Sequence, residues 1–144
     1  MRVYLGSDHG AIELRLVLAA AVREWGHELV SEIGPTEVGE SVDYPDIAAQ
    51  LAASVLGDPG SFGVLACGTG QGMAMAANKI PGIRAAVVLD GYSARMAREH
   101  NDANVLCLGA RVVGAGLAID IAQAFFGASF EGGRHAKRLE KIEP

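Results

Sequence analysis

The segment richest in chemistry is Cys67-Gly68-Thr69-Gly70-Gln71-Gly72. It follows the apolar run Phe62-Gly63-Val64-Leu65-Ala66 and leads into a helix-forming stretch, Met73 to Asn78. Glycines at 68, 70 and 72 allow backbone N–H groups to approach a ligand closely. The start of the helix adds partial positive charge. A thiol in that field is expected to ionise more readily than a free one, and can serve as a base or nucleophile beside ready-made oxyanion donors. Two other readings stand beside this one. The cysteine can simply close a core strand next to a packing turn. The loop can also bind a dinucleotide, although Met73 stands at the third glycine position of G-x-G-x-x-G; Asp90, about 20 residues on at a strand end, keeps that option open. There is no G-x-x-x-x-G-K-[ST] loop and no G-x-S-x-G elbow, which removes P-loop and serine-hydrolase chemistry.

The remaining candidates are scattered. Asp8 and His9 end the first apolar run, and Arg111 follows the last. The four histidines (9, 27, 100, 135) and two cysteines show no tight ligand spacing, so neither a metal nor another cofactor is expected. His27 opens an ordinary strand and reads as structural; Cys107 reads as a buried strand residue. Neither cysteine sits in a C-x-x-C pair, which suits a reduced, cytoplasmic setting. A formal charge of -5 argues against nucleic acid or an anionic membrane as partner, while leaving room for local arginines to bind a small anion. The N-terminus carries no signal-peptide pattern, and no apolar run is long enough to span a membrane.

These residues need elements to position them. With half of 144 residues hydrophobic, the chain can bury a core, and one domain over residues 1–144 is expected. Strands are expected at Val3–Leu5, His27–Ile33, Phe62–Cys67, Ile83–Leu89 and Val105–Leu108. Helices are expected at Ile12–Trp25, Pro45–Leu56, Met73–Asn78, Ser93–His100, Gly114–Phe126 and, as a polar tail, Arg134–Ile142. The first helix is read with Ile12, Leu16, Ala19 and Val22 on its buried face and Gly26 as its stop. A loop rich in Gly, Pro and Glu runs from residue 34 to Asp43. Five strands joined by helices imply a three-layer α/β/α sandwich on one parallel sheet, a Rossmann-like arrangement. Ligands bind such sheets at the carboxyl ends of the strands, which gathers Asp8, His9, Cys67 to Gly72, Asp90 and Gly109 to Arg111 along one rim.

An ordered set of segments resembles the type B ribose-5-phosphate isomerase family, whose relatives include galactose-6-phosphate isomerase subunits. The set comprises Gly6-Ser7-Asp8-His9-Gly10, Asp43-Tyr44-Pro45, Cys67 to Gly72, Ala76-Ala77-Asn78-Lys79, Gly82-Ile83-Arg84-Ala85, Tyr92-Ser93-Ala94, Arg98 to Asp102, Asn104-Val105-Leu106, Gly109-Ala110-Arg111 and Glu131 to His135. It covers nearly the whole chain in order. The resemblance implies a five-stranded parallel α/β/α fold, no metal, a homodimer or tetramer, and active sites shared between two subunits.

It also implies roles. Cys67 is the base that moves a proton between C2 and C1 of ribose 5-phosphate. The backbone N–H groups of Gly68, Thr69, Gly70, Gln71 and Gly72 stabilise the enediolate, and Thr69 contacts a hydroxyl or relays protons. Asp8 bonds sugar oxygens near C1 and C2. Tyr44 packs on the sugar, or is a core aromatic. One branch of the family has serine at the cysteine position and a glutamate base four residues later; Gln71 stands there in this chain, which favours Cys67. His100 opens the closed sugar ring and Asn101 contacts substrate, although a histidine at a helix end is also favoured by the dipole alone. His9, Arg111, Arg134 and Arg138 match the phosphate-binding set, with His135 ranked below them; on the expected tail helix Arg134 and Arg138 share a face. A basic tail is also a common solvated feature.

His100 ends a crossover helix, which puts it at the rim opposite Cys67 in its own subunit. It can meet a thiol only across a subunit boundary, so each site is expected to draw on two chains. Competing functions are isomerisation of a six-carbon sugar phosphate (allose or galactose 6-phosphate), a non-catalytic nucleotide-binding module, and an inactive paralogue.

Overall fold

The computed structural model describes residues 1–37 and 39–143; Val38, inside the expected loop, and Pro144 lie outside the described residues. The elements are β1 (Arg2–Ser7), a 3-10 turn (His9–Ala11), α1 (Ile12–Glu24), β2 (Glu28–Ile33), α2 (Tyr44–Gly57), β3 (Phe62–Cys67), α3 (Gln71–Ala77), β4 (Ala85–Val87), α4 (Gly91–Asn101), β5 (Val105–Gly109), α5 (Ala115–Phe126) and the single turn α6 (Ala136–Leu139). The five strands form one sheet in the order β2-β1-β3-β5-β4. Every adjacent pair is parallel.

Alternation along the central strands divides the core between two faces. Val3 and Leu5 of β1, Val64 and Ala66 of β3, and Leu106 and Leu108 of β5 pack against α1, α4 and α5. Leu65 and Cys67 of β3, with Val105 and Cys107 of β5, pack against α2 and α3. This is the expected three-layer sandwich, and its runs are apolar on both faces because both are covered. The chain leaves β1 in one direction along the sheet and returns to β3 on the other side. The crevice between the carboxyl ends of β1 and β3 is therefore the topological switch point where ligands bind such sheets.

Four expectations are corrected. Leu16 is exposed, and α1 instead buries Leu14, Arg15 and Leu18 beside Ile12, Ala19 and Val22. The fourth strand is three residues long rather than Ile83–Leu89. It is an edge strand whose ladder runs only from Ala85 to Val87 against Val105 to Cys107. The Ile83 N–H is taken by the Ile80 carbonyl at 3.1 Å, and Leu89 lies exposed. The third helix begins at Gln71, two residues earlier than expected, because Gly70 enters the left-handed region at φ 80° and serves as its N-cap. The tail helix is one turn, Ala136–Leu139, preceded by two left-handed glycines, Gly132 (φ 65°) and Gly133 (φ 57°). Arg134 lies in the turn before it, so the helical spacing expected to align Arg134 with Arg138 does not apply.

Candidate active site

Cys67 is the last residue of β3, paired with Gly109 of β5. Its side chain is 6% exposed. The sulfur does not face hydrocarbon alone: the Gly70 N–H donates to Sγ at 3.1 Å. An amide aimed at sulfur stabilises negative charge there. The loop is pressed onto the end of β5, and glycine is required on both sides. A methyl at Gly109 would lie 2.7 Å from the Thr69 backbone, and one at Gly70 would lie 3.0 Å from the Leu108 carbonyl carbon. Gln71 N–H turns back to Thr69 Oγ1 at 3.4 Å. The N–H groups of Gly68, Thr69 and Gly72 find no acceptor among the described residues. Of the five amides expected to face an oxyanion, one therefore serves the sulfur, one serves Thr69, and three remain.

The neighbouring loops converge on this point. Asp8 accepts from the Gly10 N–H at 2.9 Å, which caps the turn after β1. A methyl at Gly10 would lie 3.3 Å from Asp8 Oδ1, 3.9 Å from Gly68 N and 4.0 Å from Arg111 Nη2, so Asp8, Gly68 and Arg111 surround one glycine. The Arg111 side chain lies across Gly68, and the Arg111 backbone N–H donates to the Gly68 carbonyl at 3.0 Å. His9 is exposed, with Nδ1 accepting from Val42 N–H at 3.4 Å. The Tyr44 ring packs on Gly72, where a methyl would come within 2.7 Å of it, and 42% of the residue stays exposed. Tyr44 is therefore neither a core aromatic nor remote from the loop. A cavity of about 420 Å³ opens beside His9 and Gly10, between α1 and the start of α5.

A second cluster lies at the other rim. His100 and Asn101 end α4, and the chain then enters the start of β5. From there to Cys67 is the length of a strand, ~13 Å along the sheet. The His100 and His135 rings stack, with centroids 4.2 Å apart and planes at 6°. Glu131 Oε2 stands 4.0 Å from His100 Nε2 and 3.7 Å from His135 Nε2. The Glu131 N–H bonds the Glu99 carbonyl at 3.0 Å, which ties the tail to α4. Arg134 Nε donates to His135 Nε2 at 3.4 Å, and Arg134 and Arg138 are exposed beside it. Burial, then the neighbouring His100 and the two arginines, push His135 below the ordinary histidine value.

The histidines that looked scattered in sequence are thus grouped: ligand atoms of His100, Glu131 and His135 all lie within 4.8 Å of one another. Stacked rings do not make a metal site, because lone pairs in near-parallel planes cannot converge on one ion. Arg134 already donates to one of those nitrogens, and two guanidiniums oppose a cation. The four residues matched to phosphate also divide between the rims: His9 and Arg111 stand with Cys67, Arg134 and Arg138 with His100.

The other readings weaken. Asp90 caps α4, accepting from Ser93 N–H at 2.8 Å and from the Ser93 hydroxyl at 2.9 Å, so it is engaged locally rather than presented to a ribose. Those bonds hold its carboxyl below the usual range. Cys107 is fully buried, and burial pushes its thiol well above the ordinary value, which removes it as a nucleophile. His27 packs edge-on against Trp25 and Phe126, a structural role. Sequence reasoning gave no part to Glu131 beyond its place in a motif; its spacing of four from His135 was the available signal.

The fold is a three-layer α/β/α sandwich with a thiol and a glycine loop at its switch-point crevice. The chain belongs to the ribose/galactose isomerase family, whose profile matches residues 3–142. The chain is 45% identical over 141 residues to the ribose-5-phosphate isomerase B of Escherichia coli, covering 98% of this chain and 93% of that protein. It is 46% identical over 140 residues to a probable ribose-5-phosphate isomerase B of Mycoplasma pneumoniae, covering 97% and 91%. The solved ribose-5-phosphate isomerase B of Clostridium thermocellum superposes with a TM-score of 0.91 at 49% identity, covering 99% of this chain and 95% of that one.

Proposed function

We propose that this chain interconverts D-ribose 5-phosphate and D-ribulose 5-phosphate through an enediolate, within one domain spanning the whole sequence. The observation that carries the reading is the Cys67 sulfur, held by the Gly70 amide at a switch-point rim beside three uncommitted N–H groups. Full-length likeness to ribose-5-phosphate isomerases supports the choice of substrate.

The chemistry runs in two stages. Ribose 5-phosphate is mostly a closed ring; His100 takes the O1–H proton at one ring nitrogen and gives a proton to the ring oxygen, with Asn101 bonding the opened sugar. Cys67 thiolate then takes the C2 proton. Charge builds on the sugar oxygens and is met by the amides of Gly68, Thr69 and Gly72, each such donor being worth about 10²–10³ in rate. Asp8 aligns the C1 and C2 oxygens and Tyr44 flanks the chain of the sugar; the O2–H proton passes to O1 with Thr69 as relay, and Cys67 returns its proton to C1. Arginines at 111, 134 and 138, with His9, grip a phosphate carrying nearly two negative charges.

His100 ends α4 before the amino end of β5 and Cys67 lies at the carboxyl end of β3, so the two stages meet where a second copy brings its amino rim to the first copy's carboxyl rim. We therefore read the active unit as a homodimer or a tetramer of such dimers. Two unpaired cysteines suit the reducing cytoplasm. The test is turnover of ribose 5-phosphate by the wild type and by Cys67→Ala. Activity in the first and its loss in the second support the reading; undiminished activity in the variant removes the base. Because the family embraces galactose isomerases, six-carbon phosphates are the comparison substrates.

A further inference from the structure

The turn that follows His100 and Asn101 is built unusually. Asp102 ends α4 at φ 44°, the only non-glycine residue with positive φ among the described residues. Glycine or asparagine normally fills such a position, and an aspartate there is strained. Two arginines hold it in place. Arg84 Nη2 donates to Asp102 Oδ2 at 2.9 Å, and Arg98 Nη1 donates to Asp102 Oδ1 at 2.7 Å. Arg84 Nε also donates to the carbonyls of Asn101 (3.2 Å) and Asp102 (2.8 Å), satisfying the end of the helix directly. Arg98 Nη1 donates to the Ala103 carbonyl at 2.8 Å, and its guanidinium lies 4.5 Å from the Phe62 ring centre.

These are not loose surface pairs. Arg98 is 7% exposed, and the Arg84 side chain is 19% exposed. Arg84 is anchored in turn, since its N–H donates to Asn104 Oδ1 at 2.8 Å. A helix end needing only stability could use glycine. Here a planar fork reaches two carbonyls and one carboxylate within two residues of His100.

We propose that Arg84, acting through Asp102, is a positioning residue for ring opening: it fixes the last turn of α4 so that His100 and Asn101 are presented together. This rests on the role given to His100 above. A displacement of about 1 Å at a reacting group can cost up to 10²-fold, so loosening this turn acts chiefly on ring opening, where His100 transfers the proton. The other stage is built on the far rim from backbone and is untouched.

Ribulose 5-phosphate supplies the means to separate the stages. Its O5 carries the phosphate, so it cannot close to a furanose and needs no ring opening. Two rates are measured on the full-length Arg84→Ala protein at saturating substrate: turnover of ribose 5-phosphate, and exchange of the C1 hydrogen of ribulose 5-phosphate with solvent deuterium. We expect the first to fall about tenfold or more and the second to change less than about twofold. Asp102→Gly keeps the left-handed turn but deletes the carboxylate, and gives the same split if Arg84→Ala does not fold. Parallel loss of both rates in the folded variant, or loss of neither, overturns the proposal. His100→Asn separates the levels: a split there without one in the Arg84 and Asp102 variants refutes the clamp alone, while no split in His100→Asn refutes the ring-opening role and the clamp with it.

Discussion

The two rims of this sheet are built from different materials. At the carboxyl rim the donors proposed to meet the developing charge are backbone: the amides of Gly68, Thr69 and Gly72 around a sulfur held by Gly70, with glycines forced by close approach at 70 and 109 and the side chains of Asp8, His9, Tyr44 and Arg111 beside them. At the amino rim the working groups are long side chains: two stacked imidazoles, Glu131, two exposed arginines and an ion-pair network around Asp102. Under the proposed mechanism the contrast follows from the chemistry. Stabilising an enediolate needs dipoles that do not reorganise as charge appears, and backbone on a packed strand end is the most rigid source of them. Opening a ring and gripping a phosphate need a proton that can move and a charge that can reach, which imidazole and guanidinium supply.

The largest expected effect lies at the carboxyl rim. Cys67→Ala removes the proposed base, and turnover should fall by about 10³ or more, the upper part of the range for a lost base. The circular dichroism spectrum should stay unchanged; retention of more than a tenth of the activity would break the contrast between the rims. Gly70→Ala tests the backbone itself. The new methyl meets the Leu108 carbonyl at φ 80°, and the loop must shift, so we expect a loss of about 10²-fold in kcat with up to about 3 kcal/mol of stability. A drop in kcat in a variant that remains folded at the assay temperature sharpens the claim that this rim is a geometric device.

At the amino rim the expected effects are smaller and different in kind. Arg138→Ala and Arg134→Ala should raise KM by roughly 10-fold each, as loss of a charge-assisted phosphate bond predicts, with a smaller change in kcat. Steady-state kinetics of each variant check this. A pure kcat effect would instead assign the arginines to the reaction centre.

The smallest effect is on pH dependence. His135 and His27 both titrate below the ordinary histidine value in the folded protein, in each case chiefly through burial. The unfolded chain therefore binds protons first as the pH falls. Their contribution to stability is present above the unfolded value near 6.5 and is lost as the pH falls through and below it. The melting temperature should decline between about pH 7 and pH 5, and His27→Gln should lessen that decline without affecting turnover. A melting temperature that rises on acidification over this range contradicts the assignment.

The rims also differed in how far they could be read from sequence. The carboxyl rim was legible because its logic is local: a buried strand, a glycine loop and a helix start are consecutive, and the sheet rule brings the loops after β1 and β5 beside them. The sheet and its two covered faces followed from apolar runs in β1, β3 and β5. At the amino rim helix topology placed His100 opposite Cys67, while the parts given to Arg134 and Arg138 came only through family resemblance. This rim's groups come from α4, from a tail that is one helical turn rather than nine residues, and from a loop containing two left-handed glycines. No local periodicity announces a histidine stack between positions 100 and 135. Edge strand β4 was overextended because its apolar run outlasts its ladder. Leu16 was misplaced because Arg15, buried against Ser7, Ile33 and Pro35, takes a position that a charge does not advertise.

The account depends on Cys67 of one chain meeting His100 of another, and a subunit-mixing experiment tests this directly. Cys67→Ala and His100→Ala proteins are unfolded together, refolded as a mixture, and assayed on ribose 5-phosphate. In a twofold-symmetric dimer, random pairing restores one intact site in each mixed dimer, and turnover should recover to about a quarter of the wild-type value. A mixture no more active than its two parents, with mixed dimers shown by mass, would mean that each site lies within one chain.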